Sequence, residues 1–202
     1  MLTRGIGAGA QFILDRLVRA LSLTRIHPNV LTAIGLLINI VAAVLFAQGR
    51  FRAAGLVVVG AGLFDMVDGR VARVTKTVTP FGAFFDSVVD RYSDMALYMG
   101  LLVYYARAER FLYVVLVAVV MAGSVMISYT RARAESLIPT CKVGFLERPE
   151  RIVLIIIGAL WNRMAPVLWI IAVLSNITVV HRILYTWRYM QKDYMQKGMI
   201  SS

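Results

Sequence analysis

The chain has 202 residues, of which 59% are hydrophobic and only 16% are charged. That balance favours a small membrane protein of one domain, residues 1–202, over a soluble globular protein. The single cysteine, Cys141, excludes an intramolecular disulfide and a thiolate metal cluster. A net charge of +11 would suggest a nucleic-acid partner in a soluble protein. The positions of the charges, described below, argue against nucleic acid here.

The first 26 residues are predicted to form an amphipathic helix that lies on the membrane surface. Residues 6–23 set Phe12, Leu17 and their apolar neighbours against Asp15, Arg16 and Arg19. This apolar run is too often interrupted to cross a bilayer, and its arginines suit anionic lipid headgroups. An ordinary helix packed against the rest of the protein is an equally good interpretation.

Residues 28–190 predict an all-α core of six transmembrane helices. Pro28 disfavours helix at the residue before it, and Asn29 is a candidate cap for the next helix. The predicted helices cover residues 30–48, about 53–74, about 81–106, 111–130, 149–161 and 165–180, and the last continues beyond the membrane. A polar loop is expected over residues 131–147. Pro80 suits the first turn of the third helix.

Basic residues predict the orientation of these helices. With the amino terminus in the cytosol, the cytosolic segments hold 16 of the 22 lysines and arginines, and the opposite loops hold five. Such a bias is typical of multi-pass proteins of the cytoplasmic membrane, and it explains the net charge. We therefore expect a multi-pass protein of that membrane, surrounded by membrane lipids, with its amino terminus and its functional site on the cytosolic side.

Five of the seven aspartates lie between residues 65 and 94. Asp65 and Asp68 are three residues apart, and Asp86 and Asp90 are four apart, so each pair shares one face of a helix. Carboxylates are costly within a membrane, and four of them together require a cation. Because no histidine or cysteine is near, oxygen ligands for Mg²⁺ or Mn²⁺ are predicted.

These aspartates belong to a longer motif, D-x2-D-G-x2-A-R-x8-G-x3-D-x3-D, which runs from Asp65 to Asp90. The motif matches the signature of the CDP-alcohol phosphotransferase family at every position. Those enzymes are integral membrane proteins that join an alcohol to a phosphatidyl or similar group and release CMP. The resemblance implies two metal ions held by Asp65, Asp68, Asp86 and Asp90, with Asp90 also acting as the base. Arg91 and Asp94 lie outside the motif and are interpreted as a structural ion pair or as support for the ligands.

The same resemblance implies contacts with the CDP-diacylglycerol donor. In bacterial relatives, the nucleotide is contacted by residues equivalent to Asn29, Val30, Leu31, Thr32 and Thr79. Arg73 offers a planar fork to a phosphate oxygen, and Gly69 allows a close approach of the substrate. From the residues alone, Asn29 is a helix cap and Thr79 a loop residue, and close helix packing is an alternative explanation for Gly69.

Three further segments, residues 128–135, 145–151 and 180–187, resemble the phosphatidylinositol-phosphate synthase branch of that family. In that branch a lysine and two arginines bind the phosphate of inositol phosphate, at positions equivalent to Arg131, Arg151 and Arg182 here, next to Pro149. Arg131 departs from the usual lysine. Three cations at the ends of three helices suit a phosphomonoester, although anchoring at the membrane surface would also explain each one.

The predicted function is therefore transfer of a phosphatidyl group from CDP-diacylglycerol to a polyol phosphate, with inositol phosphate the leading acceptor. Glycerol 3-phosphate or another alcohol is the alternative. A cation transporter is a rival of another class, but the outer halves of the first, second and fourth helices lack the polar groups that a permeation path needs. An inactive scaffold is disfavoured by the complete set of aspartates. The resemblance also implies a homodimer.

Overall fold

The computed structural model describes residues 28–74 and 79–200, with side chains placed at residues 29–65, 79–193 and 195. The described part is all-helical and holds six helices: α1 Pro28–Ala47, α2 Phe51–Val74, α3 Pro80–Arg107, α4 Phe111–Glu135, α5 Arg148–Leu160 and α6 Met164–Ile200. The predicted amphipathic helix of residues 1–26 lies outside the described residues.

Three of these helices are long and apolar enough to cross a membrane by length and composition. They contain the stretches Asn29–Ala47, Phe111–Glu135 and Met164–Asp193. Helices α2 and α3 are long but carry the aspartates, and α5 has only 13 residues, about 20 Å at 1.5 Å per residue. The prediction of a helical membrane protein is confirmed at this coarser level.

The helices pack around one apolar core. Helix α1 contacts α2 and α3, α3 contacts α4, α2 contacts α5, and α6 contacts both α4 and α5. All six contribute fully buried side chains, among them Phe46, Val58, Leu101, Val120, Ile155 and Leu168. Helices α1 and α3 approach closely at Gly100, where an added β-carbon would lie 2.2 Å from the carbonyl oxygen of Ala43. Glycine is therefore required at that crossing.

Short turns join α1 to α2, α3 to α4, and α5 to α6. Each contains one residue with positive φ, namely Gly49 at 76°, Glu109 at 55° and Asn162 at 54°. A left-handed residue just after a helix ends it and redirects the chain. The longer connections, 75–79 and 136–147, join the opposite helix ends. That end of the molecule is the one that carries the aspartates of α2 and α3.

Two helix starts at this end are well capped. Thr79 precedes α3, its Oγ1 accepts a hydrogen bond of 2.9 Å from the backbone N–H of Gly82, and Pro80 fills the first turn as predicted. At α5 the backbone N–H of Glu147 donates to Glu150 at 2.9 Å. These caps fix where the first side chains of α3 and α5 project.

Two local predictions were wrong. Helix α1 begins at Pro28, so Asn29 lies inside the helix rather than capping it. Helix α4 continues to Glu135, so Arg131 lies on a helix and not in a loop. An ion pair of 3.2 Å between Arg131 and Glu135, one turn apart, supports this extra turn.

Candidate active site

A cluster of carboxylates lies where α2, α3 and α5 meet. Asp65 is nine residues before the end of α2, and Asp90 and Asp94 are one turn apart on α3. Asp86 lies one turn before Asp90 on the same helix. Of the four predicted ligands, the structure brings Asp65 and Asp90 onto one shared partner, Arg148. The side chains of Asp68, Gly69 and Arg73 lie outside the described residues.

The guanidinium of Arg148, the first residue of α5, lies among these carboxylates. Its Nη1 is 2.9 Å from Asp90 Oδ1, its Nη2 is 3.5 Å from Asp65 Oδ2, and its Nε is 3.3 Å from Asp94 Oδ1. Three nitrogens thus contact three different aspartates. Sequence reasoning missed this residue and counted Arg148 only as a membrane-surface charge. Its position next to Pro149 and Arg151 in the E-R-P-E-R segment was the available signal.

Asp94 has a partner other than the predicted one. Arg91 donates to the backbone carbonyl and the hydroxyl of Ser87 in its own helix. Asp94 instead accepts a 2.8 Å hydrogen bond from Arg151 Nη2 and a longer one from Arg148. The predicted ion pair between Arg91 and Asp94 is therefore wrong. Asp94 does support the site, because it binds Arg148 and Arg151, which border it.

The carboxylate oxygens of this cluster surround a cation that belongs to the protein itself. No three acidic, histidine or cysteine side chains among the described residues converge on one metal position; the guanidinium of Arg148 lies between three of the aspartates instead. That guanidinium is a stand-in cation, and it shows that these oxygens surround a single positive charge. Oxygen-only donors suit Mg²⁺ or Mn²⁺. The oxygen donors of Asp65 and Asp90 are therefore of the type that such an ion binds, at the position that the Arg148 guanidinium occupies.

A cavity of about 340 Å³ adjoins the carboxylates, a size typical of small-molecule sites. The four predicted acceptor residues, Arg131, Pro149, Arg151 and Arg182, all line it, together with Asp90, Asp94 and Arg148. They come from α3, α4, α5 and α6, which explains why no single sequence segment reveals the cavity. One wall is thus cationic and the adjacent wall carries the candidate base.

The three predicted arginines differ in how they are held. Arg182 is 1% exposed and donates to the carbonyls of Ile127 and Val143 and to Glu147. Arg131 contacts Glu135 and Glu147 at the cavity edge. Arg151 is also 1% exposed, yet its Nε and Nη1 have no hydrogen-bond partner among the described residues. Buried donors without a partner are costly, and this arginine lines the cavity.

The predicted nucleotide residues gather at the start of α3. A β-carbon on Gly82 would lie 3.1 Å from Thr79 Oγ1 and 3.4 Å from Asn29 Oδ1, so α1 and the α3 cap meet there. Val30 is half exposed, whereas Leu31 is buried at 2%. Thr32 lies one turn after Asn29 on the same helix. Asn29 and Thr79 are thus adjacent, while Leu31 faces the core.

Comparisons with known proteins agree with this architecture. The family model described as CDP-alcohol phosphatidyltransferase matches residues 25–188. An archaetidylinositol phosphate synthase from Pyrococcus horikoshii is 35% identical over 171 residues, which cover 84% of this chain and 88% of that protein. A phosphatidylinositol phosphate synthase from Mycobacterium tuberculosis is 36% identical over 182 residues, which cover 85% and 84%.

The solved structures of the M. tuberculosis phosphatidylinositol phosphate synthase have the same fold. The form with CDP-DAG bound superposes with a TM-score of 0.81 at 34% identity, over 87% of this chain and 94% of that chain. The form in complex with manganese and citrate also gives 0.81 at 34% identity, over 86% and 88%. The residues of the carboxylate cluster and of the cavity lining, from Asp65 to Arg182, lie within the region matched by the family model.

Proposed function

Because the chain belongs to the CDP-alcohol phosphatidyltransferase family, we propose that it transfers a phosphatidyl-type group from a CDP-activated lipid to a phosphorylated polyol, with inositol phosphate as the acceptor. One observation carries the choice of acceptor. A cavity lined by Arg131, Arg151 and Arg182 adjoins the carboxylates directly, and charge-assisted bonds of this kind suit a phosphomonoester dianion. Family membership removes the cation transporter from consideration.

In the proposed mechanism, Asp65, Asp68 and Asp86 hold the metal site and Asp90 completes it. Two Mg²⁺ or Mn²⁺ ions bound there neutralise the pyrophosphate charge. Asp90 borders the cavity, which supports a role for its carboxylate as the acceptor of the proton from the acceptor hydroxyl. The hydroxyl oxygen forms a bond to the lipid-bearing phosphorus, the bond to the CMP oxygen breaks, and CMP leaves. The nucleotide end of the donor would be bound by Asn29, Val30, Thr32, Gly69, Arg73 and Thr79. Leu31, predicted with them, packs in the core at 2% exposure and is left out of this set.

The wider setting follows from the same reasoning. We propose one membrane domain over residues 1–202, with an interfacial helix at 1–26 and six membrane-crossing helices. The molecule lies in the cytoplasmic membrane with its amino terminus and site on the cytosolic side, where CDP-activated lipids and polyol phosphates meet. The excess of basic residues at that end supports this orientation. A homodimer is the proposed assembly.

The test is an assay of CMP release by the purified protein. CDP-diacylglycerol and CDP-archaeol should both be tried, because the two named relatives differ in their lipid. We expect inositol phosphate to outperform glycerol 3-phosphate, free inositol and serine, and excess chelator to stop turnover reversibly. A preference for an unphosphorylated alcohol would contradict the proposed acceptor, and full activity in chelator would contradict the metal site.

Asp90 has its own test. Asp90→Asn should lower turnover by about 10²- to 10⁴-fold, the usual range for loss of a general base, while binding of the CDP-lipid remains measurable. Asp193→Asn, near the far end of α6 and outside the cavity, is the matched control and should behave as wild type. Undiminished turnover of Asp90→Asn would assign the base to another residue, with Asp94 the next candidate.

A further inference from the structure

Among the described ion pairs, Arg148 contacts more aspartates of the carboxylate cluster than any other basic residue does. Its three nitrogens contact Asp65, Asp90 and Asp94 at 3.5, 2.9 and 3.3 Å. Arg151 reaches only Asp94. The Arg148 side chain is 30% exposed, so it is covered by its partners but retains an open side. That open side faces the cavity, whose lining includes Arg148.

The oxygens that Arg148 contacts are those that a metal ion would need. Carboxylates bind Mg²⁺ at roughly 2.0 to 2.1 Å, and a guanidinium held on Asp65 and Asp90 leaves no room for an ion at that distance. The two cations therefore compete for one set of lone pairs. They also repel each other, since like charges a few ångströms apart in a partly buried site interact strongly.

The cavity beside the cluster offers space for the Arg148 guanidinium if it leaves the aspartates. Arg148 starts α5, directly after Glu147, and it shares the cavity wall with Arg131, Arg151 and Arg182. The exposed side of its chain already faces that space. A rotation about its own side-chain bonds would remove it from Asp65 and Asp90 without moving the helix. It would then add a fourth cationic group beside the acceptor phosphate.

Building on the proposed function, which places metal among these carboxylates, we propose that Arg148 is the internal counter-cation of the metal-free enzyme. Metal binding displaces its guanidinium from Asp65 and Asp90 into the acceptor cavity. Arg148 thereby stabilises the empty cluster, weakens metal binding, and couples the arrival of metal to the formation of the acceptor site. Coupling of this kind is reciprocal, so acceptor phosphate also strengthens metal binding.

The first test is direct measurement of Mn²⁺ affinity, by electron paramagnetic resonance or calorimetry, on the full-length protein without substrates. Arg148→Gln should bind Mn²⁺ about tenfold or more tightly than wild type, because a competing positive charge is gone. A residue with a merely structural role would weaken binding when replaced. Arg133→Gln is the matched control. Among the described residues, the guanidinium of Arg133 has a hydrogen bond to Ser136, just after α4, and none to the carboxylate cluster, so the Mn²⁺ affinity of this variant should equal that of wild type.

Equal or weaker Mn²⁺ binding by Arg148→Gln, with wild type binding normally, would overturn this inference and leave the proposed function intact. Absence of Mn²⁺ binding in wild type, Arg148→Gln and Arg133→Gln alike would overturn the metal site itself. The two failures are therefore distinguishable. The same titration with inorganic phosphate present should tighten Mn²⁺ binding in wild type and do so less in Arg148→Gln.

Arg148→Lys provides a second measurement if Arg148→Gln does not fold. The amine that it introduces keeps a positive charge among the carboxylates. Its modification by an acylating reagent, followed by mass spectrometry, should be several-fold faster in saturating Mn²⁺ than in chelator, because metal expels it into the open cavity. Lys142, which is exposed, serves as the internal reference. Equal rates in both conditions would show that the cation stays in place and would overturn the inference.

Discussion

The arginines around the acceptor cavity differ in how many of their donors are already used. Arg182 has every guanidinium nitrogen engaged by Ile127, Val143 or Glu147. Arg151 uses Nη2 for Asp94 and has no partner for its other two nitrogens among the described residues. Both nitrogens are buried, so desolvating them costs free energy that any hydrogen-bond acceptor reaching them would offset. Because Arg151 also lines the cavity, we propose it as a partner of the acceptor phosphate, whereas Arg182 holds the surrounding backbone.

This difference predicts distinct effects for two matched substitutions. Arg151→Lys keeps the charge beside Asp94 but loses the two unpartnered donors, so the KM for the phosphorylated acceptor should rise about ten- to a hundredfold. Its KM for the CDP-lipid and its thermal stability should change little. Arg182→Lys should also lower the thermal unfolding temperature, because it removes bonds that join α4, α6 and the loop between α4 and α5. An unchanged acceptor KM in Arg151→Lys would contradict this assignment.

At the level of single residues, the motif predicted that Asp65 and Asp90 share a cation, but it did not predict Arg148 as their partner. The spacing of Asp65, Asp68, Asp86 and Asp90 was sufficient to predict a shared cation, since each pair lies on one helix face. Arg148 could not be placed in the same way. It is 83 residues from Asp65, and only the packing of α5 against α2 brings the two together. The incorrect pairing of Arg91 with Asp94 arose from preferring a neighbour in sequence over one in space.

Helix packing adds a constraint on Asp65 that no motif shows. A β-carbon on Gly35 of α1 would lie 2.9 Å from Asp65 Oδ1, closer than such atoms normally approach. Gly60, on α2, has no atom within 4 Å of its own β-carbon position. Both glycines have the low helix propensity of their residue type. Of the two, Gly35 leaves space for the Asp65 carboxylate, and Gly60 does not face it.

Gly35→Ala should consequently separate activity from stability. The added methyl group pushes the Asp65 carboxylate away, so Mn²⁺ affinity and turnover should fall by about tenfold or more, an effect expected when a group at the reaction centre is misplaced by about 1 Å. Thermal stability should hold or rise slightly, because alanine is the better helix former by about 1 kcal/mol. Gly60→Ala should gain the same stability and keep full activity. Equal activity of the two variants would show that Asp65 has freedom to adjust.

Helix boundaries were predictable where an uncharged stretch ends sharply. They were less predictable where a helix continues into charged residues, as at the end of α4. The uncharged stretches that became α1, α4 and α6 were identified from length alone. The predicted end of α4 lies five residues before the observed one at Glu135, because charged residues such as Arg131 and Arg133 after an apolar stretch favour a loop. The i, i+4 spacing of Arg131 and Glu135 was the missed signal, since such pairs stabilise an exposed last turn.

At the scale of the molecule, polarity is divided between the two ends of the helix bundle. The end with the short turns carries Gly49, Glu109 and Asn162, each in the left-handed region. The end with the longer connections carries the carboxylates, the arginine cavity and most of the basic side chains that the structure describes. Sequence predicted this division through the lysine and arginine count, whereas the cavity itself depends on four helices meeting and could not be read from any one of them.

The division of charge predicts which end faces the cytosol, and cysteine labelling in intact cells measures it. Arg52→Cys and Arg163→Cys lie beside the short turns, and Arg133→Cys lies on the opposite end; all three positions are exposed. A membrane-impermeant maleimide should label the first two in intact cells, and Arg133→Cys only after permeabilisation, because the positive-inside bias puts the basic end in the cytosol. Unmodified protein is the control, since its one cysteine, Cys141, is buried and should remain unlabelled. Labelling of Arg133→Cys in intact cells would contradict the proposed orientation, because it would show that the end with the carboxylates faces away from the cytosol.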